Sequence, residues 1–110
     1  MKFIASIFPK EKGSILDIGC YHGLLGRFMT QRGYTYSGID IDPELLKKTK
    51  SFGLEAKHCD LDREDIPYQG TYKYITFFDV LEHLHDPEAV LNKIKKKMNK
   101  ESMLLISLPN

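Results

Sequence analysis

Ser14-Ile15-Leu16-Asp17-Ile18-Gly19-Cys20-Tyr21-His22-Gly23 is the stretch on which the reading of this chain turns. A short apolar run, with one acid inside it and no alternation, suits a strand covered on both faces, the signature of a parallel sheet. Gly19 and Gly23 then let the backbone turn sharply and approach a ligand closely. Leu24, Leu25, Phe28 and Met29 follow at helical spacing, and Gly33 supplies a left-handed stop. A buried strand running through a glycine turn into a helix leaves the helix N-terminus facing that turn.

The same rhythm continues along the chain. Tyr34-Thr35-Tyr36-Ser37-Gly38-Ile39 reads as a second strand, rich in aromatic and β-branched residues. Asp42-Pro43-Glu44 opens a helix, with Asp as cap, Pro in the first turn and Glu complementing the dipole. Leu45, Leu46, Thr49 and Phe52 form its inner face, and Gly53 ends it. Leu54 to Cys59 is a third strand and Tyr74-Ile75-Thr76-Phe77-Phe78 a fourth. Asp86-Pro87-Glu88 repeats the helix-start signal, with Val90, Leu91, Ile94 and Met98 as the stripe behind it. Met103 to Leu108 is the fifth strand, closed by Pro109. Between Asp60 and Lys73 no helical stripe occurs, and a dozen residues reach across about three strand spacings, roughly 15 Å, without one. These units predict an α/β fold: a doubly wound, mostly parallel five-stranded sheet of order 3-2-1-4-5 with helices on both faces.

Composition narrows the functional classes. At 110 residues the chain is one domain, 1–110, with residues 1–12 as a short N-terminal helix or lead-in. With 42% hydrophobic and 28% charged residues it is neither disordered, collagen-like nor coiled-coil. Sixteen Lys and Arg against fifteen Asp and Glu leave a charge of +1, so no global field draws it to nucleic acid or a membrane surface. Cys20 and Cys59 are too few for a disulfide framework and read as reduced thiols of a cytoplasmic protein. No apolar run approaches the eighteen or so residues of a membrane span. Met1 to Phe8 is apolar but is interrupted by Ser6, and Pro9-Lys10-Glu11-Lys12 follows it without a small-residue cleavage site. Lys93, Lys95, Lys96, Lys97 and Lys100 read as a solvated basic helix end.

Doubly wound sheets bind ligands outside the carboxyl ends of their strands. Here the first strand ends on Asp17 and the glycine loop, the second on Asp40, the third on Asp60 and the fourth on Phe78-Asp79. Each has a plainer reading: the glycines serve the turn, Asp42 caps a helix, Asp60 makes a turn. Four acids at four successive strand ends exceed what folding requires and point to a nucleoside-type pocket. A nicotinamide-binding loop would read Gly-x-Gly-x-x-Gly directly after the strand, whereas the glycines here are Gly19, Gly23 and Gly26.

Ile15-Leu16-Asp17-Ile18-Gly19-Cys20-Tyr21-His22-Gly23 resembles motif I of the class I S-adenosylmethionine-dependent methyltransferases. Gly38-Ile39-Asp40-Ile41-Asp42-Pro43-Glu44 resembles their second motif and Cys59-Asp60-Leu61 their third. Phe78-Asp79-Val80-Leu81-Glu82-His83-Leu84 and Ile106-Ser107-Leu108-Pro109-Asn110 resemble the fourth- and fifth-strand signatures of the broad small-molecule branch. The resemblance implies a Rossmann-like fold and S-adenosylmethionine as cofactor, with S-adenosylhomocysteine as product. It implies that Asp17 and the loop of Gly19, Cys20, Tyr21 and Gly23 approach the methionine and ribose portions. Asp40 would take both ribose hydroxyls, with Ile41 against adenine. Asp60 would accept from the adenine amino group beside Leu61, and Phe78 would line the sulfonium side. Tyr21 stands where the family has its central glycine.

The resemblance further implies methyl transfer to a small-molecule acceptor. His83, which follows the fourth strand, is the candidate base, its plainer reading being a packing or hydrogen-bonding residue; His22 and His85 read as exposed loop residues and His58 as structural. The alternatives are a cofactor- or partner-binding module without turnover, and a metal-assisted O-methyltransferase acting on RNA or a quinone-like phenol. For the last, Asp79, Glu82 and His83 lie at i, i+3 and i+4, spacing that suits Mg²⁺ or Mn²⁺ on one helical face. The similar RNA enzymes use a further downstream histidine that this sequence lacks, and the near-neutral charge also argues against RNA. The family's sheet has a sixth and a seventh strand beyond the fifth. The expectation is therefore a truncated form, or a fifth-strand edge covered by a partner or by self-association.

Overall fold

The computed structural model describes residues 11–21, 23–78 and 84–106. Strands β1 (Ser14–Ile18), β2 (Thr35–Asp40), β3 (Glu55–His58), β4 (Tyr74–Phe77) and β5 (Met103–Ile106) alternate with helices α1 (Leu24–Thr30), α2 (Pro43–Ser51) and α3 (Pro87–Lys95). The sheet has the order β3-β2-β1-β4-β5. All four pairings are parallel, with Asp17 in register with Gly38 on one side and Thr76 on the other. The doubly wound order predicted from the alternating pattern is the order found. Every strand therefore ends on the same side, and the order reverses between β1 and β4.

Alternation along β1 divides the core. Ile15 packs with Leu25, Met29, Tyr36 and Leu46 beneath α1 and α2, whereas Leu16 and Ile18 pack with Val90 and Ile94 beneath α3. Asp42 caps α2 by accepting from the Glu44 amide at 2.9 Å, and Asp86 caps α3 by accepting from the Ala89 amide at 3.1 Å. Leu46 and Thr49 are buried on α2 as the stripe requires, but Phe52 is exposed. It stands one residue past the helix, beneath the Arg27 guanidinium 4.1 Å from its ring centre, so a cation covers the ring where the core does not. Leu24, at the first position of α1, is likewise exposed.

The 59–73 connection holds no helix or strand. A single turn forms at its start, where the Arg63 and Glu64 amides donate to Asp60 O at 3.0 and 2.7 Å. Leu61 and Ile66 then drop into the core under α3. β3 and β5 are the sheet's edges among the described residues, and Met103 and Ile106 of β5 are exposed.

Candidate functional site

The loop between β1 and α1 is built from left-handed residues. Gly19 has φ 77°, Tyr21 φ 54° and Gly23 φ 78°. The Gly19 and Cys20 amides both donate to Ile39 O at 2.9 Å, which folds the loop over the end of β2. Glycine is favoured at Gly23 on two counts: its φ of 78°, and a packing distance that would bring a Cβ to 3.1 Å from the Thr49 Cα. The Thr49 hydroxyl shares its proton between the carbonyls of Tyr21 (3.1 Å) and Leu45 (3.0 Å), so α2 supports the loop from below. Tyr21 keeps the conformation in which the resemblance places a glycine, with its side chain exposed.

Asp40 closes β2. Its Oδ2 accepts from the Tyr21 amide at 3.0 Å and its Oδ1 from the Asp42 amide at 2.9 Å. Each oxygen thus has one lone pair bound to backbone and one turned elsewhere, and the carboxylate is held in a fixed plane. The sequence reading found Asp40; the two backbone donors that orient it were not visible there.

Asp60 makes the turn weighed for it and also lines the cavity described below. Its Oδ1 accepts from the Asp62 amide at 3.1 Å while Glu64 Oε1 accepts from the Asp60 amide at 2.8 Å, a reciprocal cap on the single turn. Asp62 Oδ1 in turn accepts from the His85 amide at 3.2 Å, joining this connection to the segment that precedes α3.

Between these loops lies a cavity of about 350 Å³, the lower part of the range that holds small ligands. Of the predicted site residues, Gly19, Tyr21, Asp40, Ile41, Asp60 and Leu61 line it. Asp42, read from the sequence as a helix cap, also lines it, as do Ile18, Ile39, Leu45, Cys59, Asp62 and Leu84, which were not read as site residues. Their apolar members were legible only as core, and nothing in the sequence separates a strand residue that meets a ligand from one that meets a helix. The wall is apolar, with carboxylates at two strand ends.

Asp17, Cys20, Gly23 and Phe78 are not brought to the cavity wall. Asp17 is 4% exposed, with Oδ2 accepting from Tyr36 Oη at 2.6 Å and Oδ1 from Thr76 Oγ1 at 2.7 Å. Burial pushes its carboxyl up to about 6, while the two hydroxyl donors oppose that rise. Cys20 is buried with Sγ 3.8 Å from Thr49 Oγ1. Phe78 packs beside the α1–α2 core. Burial also raises the thiols, Cys20 to about 12 and Cys59 to about 11, so both stay protonated at neutral pH and neither is a nucleophile. His58 and His85 are exposed.

His83, Asp79 and Glu82 lie outside the described residues, as does His22. Among the described residues no group of three or more His, Cys, Asp or Glu is placed to hold a metal, and no helix is long and apolar enough to cross a membrane.

Comparison with known proteins gives this geometry its family. A family model described as a methyltransferase domain matches residues 1–110. A ubiquinone biosynthesis O-methyltransferase of Xanthomonas oryzae pv. oryzae is 31% identical over 117 residues, covering 100% of this chain and 48% of that protein. The chain therefore spans about half the length of the curated relatives it matches. An S-adenosylmethionine dependent methyltransferase of Mesorhizobium loti superposes with a TM-score of 0.83 at 17% identity, over 96% of this chain and 51% of that one. Coclaurine N-methyltransferase, solved with N-methylheliamine and SAH, superposes with a TM-score of 0.81 at 19% identity, over 96% of this chain and 33% of that one. With the five-stranded parallel sheet, the glycine loop and the family match over its whole length, the chain belongs to the class I S-adenosylmethionine-dependent methyltransferases.

Proposed function

We propose that the cavity binds S-adenosylmethionine and that the protein transfers its methyl group to a small-molecule acceptor. The observation that carries this reading is Asp40: a carboxylate fixed in plane by the Tyr21 and Asp42 amides, each oxygen with a lone pair to spare, at the end of β2 beside an apolar cavity. That is a fit for a vicinal diol, and Asp40 takes the two ribose hydroxyls. Ile41 and Leu61 cover the two faces of adenine, and Asp60 accepts from its amino group. The left-handed loop from Gly19 to Gly23 faces the methionine portion, with Asp17 behind it as a buried support rather than a direct contact.

When bound, the cofactor supplies a methyl group already activated by a positively charged sulfur. The chain's task is then positional: hold the acceptor in line and keep water out. The name carried by the curated relatives favours an oxygen acceptor, and a hydroxyl must lose its proton as the new bond forms. We assign that proton to His83, five residues beyond Phe78. The buried free thiols support a reducing compartment, the cytoplasm. The exposed Met103 and Ile106 on β5 support pairing of that edge with a further strand or a second copy.

Calorimetry with S-adenosylhomocysteine tests the reading. We expect saturable heat and a rise in Tm that grows with ligand concentration. Neither heat nor a rise at saturating ligand would overturn it.

A further inference from the structure

The lysines of α3 do not all behave as a solvated helix end. Lys93 in the last turn of α3 and Lys97, two residues past its end, are half-buried, whereas Lys95 and Lys96 are exposed. The Lys93 Nζ donates to Leu61 O at 2.7 Å and to Glu64 O at 2.8 Å. Lys97 Nζ donates to Tyr68 O, and the Lys97 carbonyl accepts from the Tyr72 amide at 2.8 Å. From β3, Lys57 Nζ donates to Pro67 O at 3.2 Å. Three lysine amines thus satisfy carbonyls of the 59–73 connection, which has no helix or strand of its own.

The physical reason is local. The stretch from Asp60 to Glu64 is a single hydrogen-bonded turn, and its last carbonyls have no next turn to bond them. An ammonium held between the Leu61 and Glu64 carbonyls supplies both donors and complements the negative end of the turn. Asp60, capped reciprocally by Glu64, opens that same turn, and Leu61 is its first residue after the cap. Lys93 therefore grips the turn that presents Asp60 and Leu61 to the cavity. The grip runs from α3, an element that does not itself line the cavity among the described residues.

We propose that Lys93 is a positioning residue for base recognition: its ammonium fixes the Asp60–Leu61 wall and so sets the preference for adenine. This rests on the nucleoside reading of the cavity given above. Asp60 accepts from a 6-amino group and opposes a 6-oxo group, so the wall distinguishes adenine from hypoxanthine only while it is held in place.

The test compares S-adenosylhomocysteine with S-inosylhomocysteine by calorimetry on the full chain, together with hydrogen exchange of residues 60–68 in the absence of ligand. We expect Lys93→Met to weaken the adenine ligand about tenfold, the size of one lost charge-assisted hydrogen-bond pair, and the hypoxanthine ligand much less. Exchange across 60–68 should quicken in the same variant. Lys93→Arg, which keeps a cationic donor, should retain most of the preference, and Lys95→Met should match the wild type. An unchanged affinity ratio in Lys93→Met overturns the proposal, as does an equal loss for both ligands, the mark of a merely structural lysine. Wild-type protein that binds both ligands equally also overturns it. If the wild type binds neither ligand, the cavity reading fails; unchanged exchange across 60–68 would then sink the grip itself. Lys93→Gln gives the same readings if the methionine variant does not fold.

Discussion

The Tyr21 amide donates to Asp40 Oδ2 at 3.0 Å, so the residue that replaces a glycine in the loop after β1 is also the one that orients the carboxylate after β2. Tyr21 holds φ 54° in the loop while its amide reaches the end of the neighbouring strand. Two motifs whose bonded residues stand 19 apart in sequence are in this way one structural unit.

Left-handed backbone costs an L-residue roughly 1–2 kcal/mol, and a β-branched side chain more. Tyr21→Gly should therefore be at least as stable as the wild type, while Tyr21→Val should lose about 1–2 kcal/mol in urea denaturation. Both variants lose the same ring, so the comparison isolates the backbone. Equal stability of the two would show that the loop relaxes out of the left-handed region.

Asp17 carries the pH dependence. Burial raises its folded-state carboxyl from the usual value near 4 to about 6, so the native state holds the proton more tightly than the unfolded chain. The stability this group contributes is fully present below about pH 4 and is lost as pH rises through about 6. Asp17→Asn removes the titration. The stability difference between wild type and variant, measured by denaturation from pH 4 to pH 7, should shift toward the variant as pH rises and level off above about 6. A difference that is flat with pH would contradict this.

Tyr36 depends on two glycines. A Cβ on Gly38 would lie 2.9 Å from Tyr36 Oη and 2.8 Å from Cys20 Cβ, and one on Gly26 would lie 2.8 Å from Tyr36 Cζ. The phenol reaches Asp17 through the space these residues leave. Gly38→Ala should cost about 1–3 kcal/mol by overpacking. Tyr36→Phe should cost a similar amount, about 1–3 kcal/mol, by leaving a buried carboxylate oxygen without its donor. Thermal denaturation reads both, and wild-type stability for either variant would remove the network from the account.

The strand order was legible because buried β1 and β4 are short apolar runs and because Asp-Pro-Glu opens both later helices in the same way. Asp40 and Asp60 were legible as acids at strand ends. Asp17 read as a ligand contact because sequence position marks the strand end but not which face its side chain takes; register with Gly38 and Thr76 turns it into the core beside Tyr36. Phe52 read as core because periodicity ignores where a helix stops. The basic run on α3 read as surface, since no pattern in the sequence tells that Lys93 will meet carbonyls thirty residues away.

The central claim is that Asp40 grips a ribose diol. Calorimetric titration of wild type and Asp40→Ala with S-adenosylhomocysteine tests it most directly. Loss of a bidentate charge-assisted contact predicts an affinity lower by more than about tenfold, with the fold intact by circular dichroism. An Asp40→Ala variant that binds as tightly as the wild type would contradict the account.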